Sequence, residues 1–125
     1  MDINDLTVGQ AKELAMLFGG AQQPKKELIG EYVIVRCRDA GVHAGYLVDY
    51  EGRNVVLKDS RRLWYWVCAQ RQHSLSGVAS VGIDAAKSKI PAIVPTLILS
   101  DACEIMQATP VCQNSVEGAP TYEVD

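Results

Sequence analysis

A chain of 125 residues, 48% of them hydrophobic and 22% charged, is long enough to fold as one domain with its own core. Its formal net charge of -3 and its pI of about 5.3 argue against a general nucleic-acid binder, which carries a basic face. The longest apolar run, Ile93 to Leu99, is far shorter than the roughly 20 residues of a membrane helix. We therefore expect a protein without general affinity for nucleic acids or membranes.

The spacing of cysteines and histidines bears on compartment and metal binding. The four cysteines form no C-x-x-C pair; they are Cys37, Cys68, Cys103 and Cys112. The acidic start of the chain lacks the apolar segment of a signal peptide, so we expect reduced thiols in a cytoplasmic protein. The two histidines, His43 and His73, show no ligand spacing with the cysteines. We therefore expect neither a metal nor a cofactor.

An amphipathic helix, Thr7 to Phe18, is the first predicted element and falls within residues 1–20. Thr7 and Gln10 match a capping box, and Gly19-Gly20 ends the helix. Its apolar residues recur with helical spacing: Val8, Ala11, Leu14, Ala15, Leu17 and Phe18. Residues 21–27 are polar, contain a proline and predict a linker. A helix this short needs a partner for its apolar stripe, either the domain or another copy of the chain, and we expect a homo-oligomer.

The next stretch predicts three strands joined by short turns. Residues rich in β-branched side chains, bounded by turn residues, indicate strands over Glu31–Arg38, Val42–Tyr50 and Asn54–Lys58. Gly45 interrupts the second strand, as glycine does where a backbone approaches closely or a bulge forms. The third strand is expected to break at Asp59-Ser60 and to continue over residues 61–66. Three strands in this order form a meander, which typically curls into a small barrel or packs against a helix.

Short helices and two further strands complete a domain predicted over residues 28–118. Ser74 caps a helix that Gly82 ends, and Thr109 caps a helix with Pro110 in its first turn, ended by Gly118. Between them we expect strands over Ile93–Leu99 and Ala102–Ala108, and Pro95 places the first at an edge or at a bulge. Residues 119–125 are polar and acidic and are expected to fray. The fold class is α+β: a small antiparallel meander, barrel-like, with short helices and a separate N-terminal helix.

The segment Arg61-Arg62-Leu63-Trp64-Tyr65-Trp66 is the most informative for function, because it holds both tryptophans. Strand alternation would place Arg62, Trp64 and Trp66 on one face and Arg61, Leu63 and Tyr65 on the other. Arginine beside indole suits a planar anionic ligand, since rings stack on a base and guanidinium binds phosphate. We therefore predict these ligand-binding residues, with donors from neighbouring strands: Arg61, Arg62, Trp64, Tyr65, Trp66, Arg36 and His43. The alternative is that the aromatic face packs the core and Arg62 covers an indole edge.

No catalytic signature accompanies this segment. The chain has no nucleophile elbow, phosphate-binding loop, zinc-protease motif or paired carboxylates at catalytic spacing. Nothing in the sequence marks one cysteine as an activated nucleophile. We therefore expect a binding protein with no catalytic residues.

The chain also resembles a family of small, largely uncharacterised proteins of tailed bacteriophages and prophages. The resemblance covers nearly the whole chain and is most specific in the Arg-Arg-Leu-Trp-Tyr-Trp run; it includes residues 6–14, 32–45, 55–57, 75–79 and 103–105. It implies a phage-encoded protein made in the cytoplasm of a bacterial host. By analogy of origin and size it implies an anti-defence protein that sequesters a nucleotide-like immune signal. The alternative is a structural or regulatory protein-interaction module of a phage.

Overall fold

The computed structural model describes residues 26–123 and has the predicted α+β class. The elements, in chain order, are β1 (Tyr32–Cys37), β2 (Gly41–Glu51), β3 (Asn54–Arg62), α1 (Leu75–Val81), β4 (Val94–Leu99), β5 (Ala102–Gln107) and α2 (Pro110–Glu117). A short 3-10 helix, Ala69–Arg71, precedes α1. The helix predicted within residues 1–20 lies outside the described residues, as does nearly all of the predicted linker.

All five strands form one antiparallel sheet in the order β4-β3-β2-β1-β5. The two edge strands, β4 and β5, are consecutive in the chain, so the sheet must curl for their short turn to join them. That turn contacts the β2–β3 turn: the Ala102 N–H donates to the Arg53 carbonyl oxygen at 2.9 Å, and Arg53 Nη1 lies 2.8 Å from Asp101 Oδ1. The barrel-like meander predicted from the sequence is therefore confirmed.

The predicted break in the third strand is wrong, because β3 runs continuously from Asn54 to Arg62. Asp59 adopts a φ of 49°, and pairing with β4 passes from Lys58 to Ser60. Asp59 and Ser60, residue types common in turns, therefore produce a local irregularity within the strand. Opposite it, the pairing of β2 with β3 shifts at Gly45, where a Cβ would lie 3.0 Å from the Ser60 Cα atom. The close approach predicted at Gly45 is confirmed.

Alternation along the strands separates two apolar cores, one on each face of the sheet. On one face, β1, β2, β3 and β4 contribute Val33, Val35, Leu47, Leu57 and Leu99. On the opposite face, helices α1 and α2 cover the central strands, and this core includes Tyr32, Ile34, Val78, Cys112 and Val116. The helices therefore occupy one side of the sheet.

Both helix caps predicted from the sequence are present. Ser74 Oγ accepts from the Gly77 N–H at 3.0 Å, and Thr109 Oγ1 accepts from the Cys112 N–H at 3.1 Å. Thr109 Oγ1 also donates to the Ser80 carbonyl oxygen at 2.8 Å, which joins the start of α2 to the last turn of α1. The two helices are thereby fixed relative to each other over the sheet.

The four cysteines are free thiols, three of them buried and Cys103 exposed. Burial raises the pKa of the Cys112 thiol to about 11, so this sulfur stays protonated near neutral pH. Within residues 26–123, no helix is long and apolar enough to cross a membrane.

Candidate functional site

The segment after β3 leaves the sheet, and this changes which of its side chains face solvent. Alternation holds as far as Trp64, because Arg61 and Leu63 are buried while Arg62 and Trp64 are exposed. Since β3 ends at Arg62, the alternation of buried and exposed side chains does not continue beyond Trp64. Tyr65 is exposed, and Trp66 is half-buried against the core. The predicted pairing of Trp64 with Trp66 on one face is therefore wrong.

Three aromatic rings surround one lysine ammonium next to this segment. Lys89 Nζ lies 5.4 Å from the Trp64 ring centroid, 5.6 Å from that of Tyr65 and 5.4 Å from that of Tyr122. The Trp64 and Tyr122 centroids are 5.7 Å apart, with an interplanar angle of 37°. Trp64 is 58% exposed and Tyr65 53% exposed, which is unusual for aromatic residues of this size. We call these four residues the aromatic–lysine cluster.

Main-chain hydrogen bonds bring the cluster together from three distant parts of the chain. The Lys89 N–H donates to the Tyr65 carbonyl oxygen at 2.6 Å, and the Tyr65 N–H donates back to Lys89 at 3.3 Å. The Tyr122 N–H donates to the Ile90 carbonyl oxygen at 2.9 Å, and Ala119 is buried. Ala119 and Tyr122, two residues of the tail that was expected to fray, therefore lie against the domain.

Arg61, a predicted phosphate ligand, is buried with its guanidinium directed at main-chain carbonyls. The acceptors are Pro91 for Nε, Ile90 for Nη2, and Val116, Glu117 and Ala119 for Nη1. Three of these carbonyls belong to the end of α2 and the residues after it, where the helix dipole is negative. Desolvation lowers the pKa of Arg61 from its usual value. Arg61 is thus bound within the fold, and its donors are occupied by the main chain.

The other predicted donors form structural contacts at other places. Arg62 Nη1 donates to the Ala40 carbonyl oxygen at 2.9 Å, and His43 Nε2 meets the same oxygen at 2.8 Å. His43 is buried, and desolvation lowers its pKa. Arg36 Nε pairs with Glu104 Oε1 across β1 and β5 at 3.2 Å. Of the seven predicted site residues, the structure thus joins only Trp64 and Tyr65 in the cluster.

Lys89 and Tyr122 were missed by reasoning from the sequence. Lys89 sits in a charged loop and Tyr122 in an acidic tail, and neither has a local pattern that sets it apart. Their positions depend on pairing across more than twenty residues, which only the folded chain shows.

The chemistry available at the cluster is recognition by stacking and charge. Exposed rings offer π-faces to a planar group, and the ammonium offers donors to an anion. No group of three or more His, Cys, Asp or Glu side chains suited to a metal occurs among residues 26–123. Two open depressions of about 290 and 570 Å³ are lined by other residues. Because Trp64 and Tyr65 are more than half exposed, a ligand at the cluster would be accessible from solvent.

Comparison with known proteins places the fold in a family whose activity is not defined. The family model described as "Domain of unknown function (DUF6948)" matches residues 30–116, which include three of the four cluster residues. No curated protein matches the chain. Among solved structures, a heptameric archaeal Sm protein is similar, with 16% identity and a TM-score of 0.42. That match covers 66% of this chain and 93% of the archaeal chain.

Proposed function

We propose, on the premise that the chain belongs to the Domain of unknown function (DUF6948) family, that it is a ligand-binding protein for a nucleotide-like molecule. The observation that carries the proposal is the aromatic–lysine cluster, in which Trp64, Tyr65 and Tyr122 surround the Lys89 ammonium. The ligand is captured and released unchanged.

The physical support is that the cluster matches both parts of a nucleotide. Stacking of a base on an exposed ring contributes about 1–3 kcal/mol per base. The Lys89 ammonium already lies between the rings, where it can pair with a phosphate beside the stacked base. The overall charge of -3 disfavours long polyanions, whose binding needs many phosphate contacts. A small ligand with one or two phosphates therefore fits better than a nucleic-acid strand.

The biological role we propose follows from the resemblance to phage proteins. In that setting the protein is a phage-encoded homo-oligomer in the bacterial cytoplasm that sequesters a nucleotide immune signal of the host. Sequestration needs binding without turnover, which agrees with the lack of a catalytic signature in the sequence.

A ligand panel tests the proposal directly. Thermal unfolding of the full chain is measured with cyclic dinucleotides and ADP-ribose derivatives at saturating concentration. A ligand at 100 times its Kd adds about 2.7 kcal/mol to the stability of the folded state and raises Tm. Trp64→Ala and Lys89→Gln should abolish the increase, whereas Lys58→Gln, an exposed lysine of β3 outside the cluster, should keep it. If no ligand of the panel raises Tm, the nucleotide proposal is rejected.

The fate of the ligand separates a binder from an enzyme. After overnight incubation the protein is denatured, and the released ligand is identified by mass spectrometry. We expect the mass of the added compound. A converted product that disappears with Trp64→Ala would show that the same surface carries out a reaction.

A second candidate function is protein–protein recognition through the same surface. Large exposed apolar side chains, Ile93 and Val94, occur four and five residues after Lys89. Trp and Tyr are also the residue types that dominate interface hot spots. This function predicts a partner in a pull-down that is lost with Trp64→Ala and that saturating nucleotide does not displace.

A further inference from the structure

One end of the helix-covered face carries an apolar surface that no described residue covers. We call it the open patch: Ile29, Val48, Val56 and Ile98. Ile29 is 42% exposed, Val48 48% and Ile98 69%, while Val56 is half-buried. Val56 is the register partner of both Ile98 on β4 and Asp49 on β2, so the patch crosses three strands. An exposed apolar surface of this kind indicates an interaction site.

The open patch lies on the same face of the sheet as the core beneath the helices. Tyr46 packs against that core and is the register partner of Lys58. Lys58 and Val56 are two residues apart on β3 and therefore point to the same side. Among residues 26–123, helices α1 and α2 pack over the other end of this face, through Tyr32 and Ile34 of β1. The patch therefore continues the face of the sheet that the two helices cover at the other end.

The described chain begins at the border of the open patch. Lys26 Nζ donates to Asp49 Oδ1 at 2.9 Å and to the Tyr50 carbonyl oxygen at 2.7 Å, immediately after Val48 in β2. Ile29 follows three residues later, and the Gly30 N–H donates to the Leu47 carbonyl oxygen at 2.8 Å. Whatever precedes Lys26 therefore enters the fold beside the patch.

We propose that residues 7–18 form an amphipathic helix that packs on the open patch of their own subunit. Seven residues lie between Phe18 and Lys26, and the eight residue steps that join them span at most about 26–29 Å, so the segment reaches any part of the patch. A helix of twelve residues is about 18 Å long, and three strands are about 10 Å across. The predicted stripe, from Val8 to Phe18, is long enough to cover Val48, Val56 and Ile98.

A tether this short favours a subunit's own helix over that of a second copy. A short link of these seven residues gives an effective concentration in the millimolar range, above that of free chains in dilute solution. The sequence leaves two partners open for this segment, the domain or another copy of the chain, and the short tether favours its own domain. Docking onto a neighbouring copy is the competing outcome.

Hydrogen exchange of the full chain tests the proposal. We expect amides of residues 7–18 to exchange at least about tenfold more slowly than those of an unstructured peptide. Val48→Glu should remove this protection. Val111→Glu is the matched control, because Val111 is 57% exposed on α2, away from the patch, and it should leave the protection intact. Leu14→Glu, which alters no described residue, should also remove the protection while amides of β1 and β2 stay protected.

The same samples distinguish the two modes of docking. Protection that is unchanged over a fiftyfold dilution, with a mass by light scattering that Leu14→Glu does not change, supports docking within the subunit. Protection that falls on dilution together with the mass overturns it in favour of a second copy. Residues 7–18 that exchange like an unstructured peptide, or protection that Val48→Glu leaves intact, also overturn it.

Discussion

The buried guanidinium of Arg61 gives the strongest prediction about stability, and Arg61→Met is the change that tests it. Methionine is similar in length and apolar, so it fills the site but donates no hydrogen bond. The substitution leaves the carbonyls of Pro91 and Ala119 without a donor, whereas the Ile90 and Val116 carbonyls keep the Tyr122 and Ala119 N–H groups as main-chain donors. Arg61 is only 3% exposed, so solvent water does not reach these carbonyls to replace the lost donor, as it would next to a surface arginine.

The size of the loss follows from what those bonds contribute. A hydrogen bond to a charged group contributes about 1.5–3 kcal/mol, and a buried polar group left unpaired costs about 1–3 kcal/mol. Some of these costs fall because small shifts of the chain satisfy the carbonyls, so the individual contributions do not add fully. Two unpaired buried carbonyls at about 1–3 kcal/mol each, reduced by relaxation of the chain, should lower the free energy of unfolding of Arg61→Met by about 2–4 kcal/mol, which is a large part of the roughly 5–15 kcal/mol of a typical domain.

Urea unfolding followed by circular dichroism at 25 °C measures the effect, with the slope of the transition checked for each variant. Arg62→Met is the matched control. Arg62 neighbours Arg61 in β3 but is exposed and makes one bond, to Ala40 at 2.9 Å, so its loss should cost less than about 1 kcal/mol. A difference between the two variants smaller than about 1 kcal/mol would refute the structural role of Arg61.

Three further predictions concern buried groups elsewhere in the fold. Burial lowers the pKa of His43 below its usual 6.5, so on acidification the unfolded chain takes up a proton at this residue before the folded chain does. The free energy of unfolding should therefore fall as pH drops from about 6.5 to 5, by up to about 1.4 kcal/mol per pH unit. His43→Gln should flatten this slope in urea titrations. Gly45→Ala places a Cβ 3.0 Å from the β3 backbone and should cost about 1–3 kcal/mol in the same assay, and an unchanged midpoint would contradict this close packing. Iodoacetamide at neutral pH should label exposed Cys103 well before Cys112, whose pKa is about 11, and equal rates by mass spectrometry would contradict the burial of Cys112.

Local chemistry in the sequence predicted most of the fold. The caps at Ser74 and Thr109 depend on residues within one turn, and both form as predicted. The strands follow from β-branched runs between turn residues, although the predicted break at Asp59 becomes an irregularity because β4 pairs on both sides of it. Pairing with a neighbouring strand thus overrides the turn preference of Asp59-Ser60.

The candidate site was predicted only in part, for a physical reason. The sequence identifies Trp64 and Tyr65 because both tryptophans and two arginines occur in one run. It assigns Arg61 to the ligand because nothing local shows that the end of α2 packs over it. Lys89 and Tyr122 reach the cluster through main-chain bonds to distant residues. Contacts distant in sequence therefore decide which of the polar and aromatic residues face solvent.

Arg61 and the aromatic–lysine cluster are nevertheless linked through the main chain. The carbonyls that Arg61 binds belong to Ile90, directly after Lys89, and to Ala119, three residues before Tyr122. Arg61 itself lies three residues before Trp64. One buried guanidinium thus ties together the three segments that carry the cluster. An arginine that contacts no ligand would for this reason still affect binding, by holding the rings around the Lys89 ammonium. Weaker ligand capture by a folded Arg61 variant is therefore to be expected from lost positioning and does not show that Arg61 contacts phosphate.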